Sequence, residues 1–232
     1  MNKFITAVKT LNLPRVKDLL QKEPQWTRWA EDNGKNALHY LCAREIGKNP
    51  DKMELSLQIL KTLLKAGMDI DSIHAIPDDG GSFPATPLWY AYAKGRNEKL
   101  FTWLLKNGAN PDHCMFALAW NDDVRSATLF KKHGAKIHQL AGSDTPFLGA
   151  WNWRRFHIAE WFLKNGADVD HLDGAGNTAL FHSVKKKYKL DQIKLLLQYG
   201  ADPDKKGKEG LSARMLATQN NQRNILKLFR TS

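Results

Sequence analysis

Histidines and carboxylates are the side chains here that could coordinate metal or move protons, and their spacing argues against both. Asp168-Val169-Asp170 and Asp202-Pro203-Asp204 alternate as the opening of a calcium loop would. Such a loop needs further oxygens at its fifth and twelfth positions. The fifth positions are Leu172 and Lys206, and the twelfth of the second string is Ala213, so both strings read as turns. His113 adjoins Cys114, and His133 and His138 straddle Gly134. Neither pair sets two donors on one helix face at zinc-ligand spacing. Gly34-Lys35 is followed by Asn36, with Trp29 where a phosphate loop begins with glycine, and neither H-E-x-x-H nor G-x-S-x-G occurs. No nucleophile, base or metal set converges. The expectation is a chain that is not an enzyme, with no catalytic residue, metal or cofactor.

Side chains suited to gripping another macromolecule are more plentiful. Trp and Arg dominate many interfaces, and eight tryptophans are many for 232 residues. One group comprises Tyr90 and Lys94, Trp120 and Asn121, Asn152, Trp153 and Arg154, then Lys185 and Lys186. A second, Asp78, Asp79 and Phe83, lies around the glycine pair Gly80-Gly81. Whether these residues share surfaces depends on the elements that carry them.

Those elements repeat. Gly67, Gly108, Gly134, Gly166 and Gly200 each open a Gly-Ala/Met-Asx-like word, at intervals of 41, 26, 32 and 34 residues. Each follows an apolar run of helical character: Leu57 to Leu64, Leu100 to Leu105, Val124 to Phe130, Ile158 to Leu163 and Ile193 to Leu197. Glycine takes the left-handed conformation that ends such helices. A second word, Thr86-Pro87-Leu88, Thr145-Pro146-Phe147 and Thr178-Ala179-Leu180, with weaker copies at Asn36 and Ser212, has the chemistry of a helix start. The polar side chain caps free amides, and proline suits the first helical position.

Paired helices, a glycine stop and a period near 33 residues, with T-P-L-x-x-A openers, resemble the ankyrin-repeat family. The resemblance implies an all-α repeat solenoid of about six to seven helix-turn-helix units with projecting hairpin fingers and a concave palm lined by first helices. A single domain is expected over 1–232. It comprises an N-terminal cap (1–31), repeats at 32–71, 72–112, 113–138, 139–170 and 171–204, and a C-terminal cap (205–232). His39 matches the family's T-P-L-H histidine, which implies a structural hydrogen bond between units. Trp103 and Trp161, each five residues before a glycine stop, are expected in the core.

Three irregularities break the pattern. The finger between Gly67 and Thr86 is about seven residues longer than its fellows, whereas Gly108 to His113 leaves almost none. The long finger either binds a partner, with Phe83 exposed, or folds over the vacancy. About ten extra residues separate the helices of the His39 unit near Arg44–Asp51, where Gly and Pro predict a loop.

Net charge is +11, and residues 181–232 hold twelve Lys and Arg against four Asp and Glu, +8 of that total. Such a bias favours acidic partners. The expectation is therefore a monomeric protein-binding module, of adaptor, inhibitor or immunity type, meeting an acidic partner surface through the palm and the 72–85 finger. The alternative is nucleic acid or another anionic surface at the basic end. Neither an apolar secretory region nor a membrane-spanning run appears, so a cytoplasmic protein without membrane contact is expected. Cys42 and Cys114 are read as buried thiols.

Overall fold

The computed structural model describes residues 2–78 and 81–230; Asp79 thus lies outside the described residues. Their contacts sort into two compact units, one running to Cys114 with Lys132–Ala135, the other formed by Met115–Lys131 and the chain from Lys136 onward.

The first unit begins with α1 (Lys3–Lys9) and α2 (Leu13–Lys22), capped by the side chains of Asn2 and Asn12. A 3₁₀ turn over Pro24–Arg28 leads to α3 (Ala37–Cys42) and α4 (Pro50–Lys65). The long finger is an antiparallel hairpin of β1 (His74–Asp78) and β2 (Gly81–Ala85), with Ile76 opposite Phe83. Then come α5 (Pro87–Ala93), α6 (Glu98–Lys106) and a 3₁₀ turn at Asp112–Cys114. First helices pack on first helices, α1 on α3 and α3 on α5, and second on second, α2 on α4 and α4 on α6. Leu38, Leu41, Ile59, Leu60 and Leu63 fill the space between, none more than 1% exposed.

The second unit repeats the pairing: α7 (Met115–Trp120) with α8 (Val124–Lys132), α9 (Pro146–Asn152) with α10 (Phe156–Lys164), α11 (Ala179–Lys185) with α12 (Leu190–Gln198), and α13 (Ala213–Gln219) with α14 (Arg223–Leu228). Trp151 is its largest fully buried side chain. Its indole N–H donates to Ser183 Oγ at 2.8 Å, and that hydroxyl donates to the Ala179 carbonyl at 2.8 Å. A polar group removed from water is thereby satisfied, which a buried indole requires.

The opener words do what their chemistry dictates. Thr86, Thr145, Thr178 and Ser212 each accept from the amide three residues on, and Asn36 accepts from Leu38 and His39. The glycine stops sit at φ between 84° and 96°. A second left-handed position recurs at the turn joining first to second helix and is mostly not glycine: Leu11, Arg96, Asp122, Arg154, Lys187 and Asn221, with Gly47 in the longer α3–α4 connection as the exception.

Two expectations are corrected. The extra residues of the His39 unit form only a short loop; from Pro50 they lengthen α4 to 16 residues, because Asn49 caps it and proline there occupies the first helical position. Trp103 and Trp161 are only half-buried rather than core, and the Trp161 indole donates to Thr128 Oγ1 at 3.0 Å.

Candidate protein-binding surface

Counting back two residues from the left-handed position places Lys94, Trp120, Asn152 and Lys185 at one site of successive repeats, and Asn121, Trp153 and Lys186 one residue later. In the second unit this register brings Trp120 beside Trp153. The ring centroids are 5.0 Å apart and the planes cross at 76°, edge to face. Trp120 is 54% exposed and Trp153 37%, unusual for side chains that gain so much from burial.

Both indoles are held from beneath. A Cβ on Gly149 would lie 3.2 Å from Cη2 and Cζ3 of Trp153, so the missing side chain in mid-helix is what lets that ring rest on α9. Trp120 is held by Arg155, whose Nε donates to the Trp120 carbonyl at 2.9 Å and whose guanidinium lies 5.9 Å from the ring centroid. Arg155 occupies a helix N-cap position yet cannot accept a hydrogen bond, and α10 has no side-chain cap of its own. Asp122 supplies the acceptor from the preceding repeat: its Oδ1 takes the Ile158 amide at 2.8 Å, and its Oδ2 takes His157 Nδ1 at 2.8 Å. That hydrogen bond and the carboxylate's charge hold the His157 pKa above its ordinary value. Arg155 thus reaches back to the preceding turn while Asp122 reaches forward to the helix that Arg155 leaves uncapped, and the pair of contacts fixes the Trp120 backbone.

The flank is cationic. Lys185 and Lys186 are exposed, and Lys186 Nζ reaches Asn152 Oδ1 at 3.3 Å. Arg154 is exposed, with its guanidinium 4.9 Å from the Tyr188 ring centroid. Asn121 is exposed beside Trp120. Of the residues singled out in the sequence, six therefore lie together with Trp120 in this unit. Arg155, Asp122 and Gly149 were not singled out. A basic residue where Asn97 caps α6 and Asp123 caps α8 was the available signal for the first two.

The first unit treats its residues differently. Tyr90, grouped from the sequence with the candidate binding residues, is 6% exposed, because it stands one helical turn before Lys94, in register with the buried Leu148 and Phe181. Its hydroxyl pairs with His74 Nδ1 at 2.7 Å. Lys94 is exposed, with its ammonium 5.7 Å from the Trp89 ring centroid. Phe83 is half-buried rather than exposed, with its ring 5.1 Å from Trp89 and 6.3 Å from His113. The long finger therefore leans over the place of the missing one. Asp78 ends β1 and is exposed.

No group of three or more His, Cys, Asp or Glu among the described residues could hold a metal ion, and none of the described helices is long and apolar enough to cross a membrane. Both cysteines are free and buried, with burial pushing their thiols above the ordinary range.

Comparison with known proteins agrees with the geometry. The family model described as ankyrin repeats (3 copies) matches residues 147–231. A putative ankyrin repeat protein of Rickettsia bellii (strain RML369-C) is 35% identical over 100 residues, which are 42% of this chain and 40% of that protein. The chain thus matches less than half the length of this curated relative. Among solved structures, the ankyrin repeat domain of human ASB11 superposes with a TM-score of 0.69 at 20% identity, covering 100% of this chain and 97% of the other. The ankyrin repeat domain of Bcl-3, described as a unique member of the IkappaB protein family, gives 0.74 at 17% identity, covering 99% and 98%. Ankyrin repeats are in general protein-interaction modules, typically without enzymatic activity. Residues 147–231 thus match ankyrin repeats in sequence, and the recurring caps, stops and helix pairs share the ankyrin-like helical repeat fold of the solved neighbours.

Proposed function

We propose that this chain is a non-catalytic binding module that grips a partner protein through the Trp120–Trp153 surface of its second unit, acting as an adaptor, an inhibitor or an immunity-type protein. The observation that carries the reading is the pair of exposed indoles crossed edge to face, one resting over Gly149 and the other beside Arg155. Rings already ordered lose little entropy on binding, so the apolar area they bury goes largely into affinity. Lys185, Lys186 and Arg154 beside them favour an acidic partner surface and speed its approach. The 72–85 finger has a smaller part, since Phe83 is engaged with its own scaffold. Nucleic acid is the weaker reading. Successive bases stack on parallel platforms, and rings crossed at 76° do not provide one.

The test is to capture the partner with the purified chain and measure its affinity for wild type and for the Trp120→Ala/Trp153→Ala variant. Losing two interface anchors should weaken binding more than about tenfold, with far-UV circular dichroism unchanged. Equal affinities would remove this surface from the account.

A further inference from the structure

Consecutive first helices of the second unit pack side by side, α7 on α9 and α9 on α11. At the two positions before each left-handed turn they carry Trp120-Asn121, Asn152-Trp153 and Lys185-Lys186. No carboxylate occurs among the six, although the chain has 24 Asp and Glu. Three kinds of chemistry are present: an aromatic corner, amides and two ammonium groups. An amide side chain both donates and accepts, as a peptide group does, so Asn121 and Asn152 suit a bare backbone better than a folded surface of side chains. The crossed rings offer one face and one edge, a corner for a single apolar side chain. Lysines follow one helix further on.

Spacing decides how a ligand would meet them. Packed helices lie roughly 8–10 Å apart. A β-strand turns residues three apart to opposite faces, whereas a polyproline-II chain rises about 3.1 Å per residue with three residues per turn, so three residues of such an extended chain cover one repeat and return to the same face. We propose that this row takes an extended acidic segment of the partner, with one large apolar side chain in the Trp120–Trp153 corner and carboxylates at multiples of about three residues from it meeting Lys185 and Lys186. The proposal rests on the protein-binding reading above and adds the partner's conformation and register.

The probe is a capped peptide with the sequence E-G-S-E-G-S-L-S-G-E-S-G-E, whose near-symmetry makes chain direction immaterial. Its control has the same composition with the four glutamates adjacent. Each is titrated into the whole chain while the indole N–H resonances, assigned by single Trp substitutions, are followed by NMR. The spaced peptide should bind at least about fivefold more tightly than the control and shift the indoles of Trp120 and Trp153, and replacing its leucine with glycine should abolish those shifts. Equal affinity for spaced and clustered peptides would overturn the proposal. So would shifts confined to other tryptophans, or a uridine oligonucleotide that moves both indoles as strongly as the peptide. If the peptides fail while the captured partner still loses more than about tenfold with the double Trp variant, the binding surface stands and only the extended register is wrong.

Discussion

His39 is buried without exposure and neutral. The Asn36 amide donates to its Nδ1 at 3.1 Å, so the ring proton sits on Nε2 and is shared between the Ser72 and Ala85 carbonyls at 3.0 and 3.2 Å. Those carbonyls flank the long hairpin, which the histidine therefore ties to α3. Burial above all pushes its pKa from 6.5 down to about 4. A depressed histidine favours the folded state above its unfolded pKa. As pH falls from near 6.5 towards 4 the unfolded chain takes up a proton first, and that stability is lost. The advantage of wild type over His39→Gln in urea denaturation should thus shrink between about pH 7 and pH 5, by on the order of 2 kcal/mol; an unchanged gap would mean the ring is not held neutral. This histidine's structural role was legible from its word. Tyr90 was misread one turn away, because its hydroxyl partner, His74, is placed by strand pairing 16 residues from it, which no local pattern encodes.

At the scale of elements, caps and stops were readable because each is a local transaction between a side chain and amides within three or four residues. The length of α4 was not, since proline marks a loop and a first helical turn equally well. Asp122 and Arg155 escaped notice for a different reason: their contacts join residues 35 and 36 apart. Helix α9 shows the tension between an element and its function. Glycine in mid-helix costs about 1 kcal/mol relative to alanine, yet Gly149 leaves the space in which the Trp153 ring lies. Trp153 is 37% exposed, so its ring can shift outward by the few tenths of an ångström a Cβ demands, and Gly149→Ala should raise the midpoint of thermal unfolding while displacing Trp153 and weakening partner binding. A variant that binds the partner as well as wild type would show that the ring's seat is irrelevant to function.

Across the molecule, repetition made the fold legible and departures from repetition made the candidate surface. Glycine intervals of 41 and 26 sum to 67, two periods of the array, so a lengthened finger and a vanished one keep the later repeats in phase. In the first unit that irregularity is absorbed structurally, by Phe83 on Trp89 and His113. In the second it is the side chains before the helix turns that depart, with two exposed tryptophans where solenoid surfaces need only solvated groups. The basic excess of residues 181–232 lies in the same unit and gives an acidic partner its approach. Hydroxyl-radical footprinting of the chain with and without its captured partner tests this most directly, because tryptophans elsewhere serve as internal controls. Oxidation of Trp120 and Trp153 should fall at least about fivefold on complex formation, while Trp103 and Trp161, half-buried on second helices, keep their rates. Protection of Trp103 or Trp161 with Trp120 and Trp153 unchanged would contradict the account.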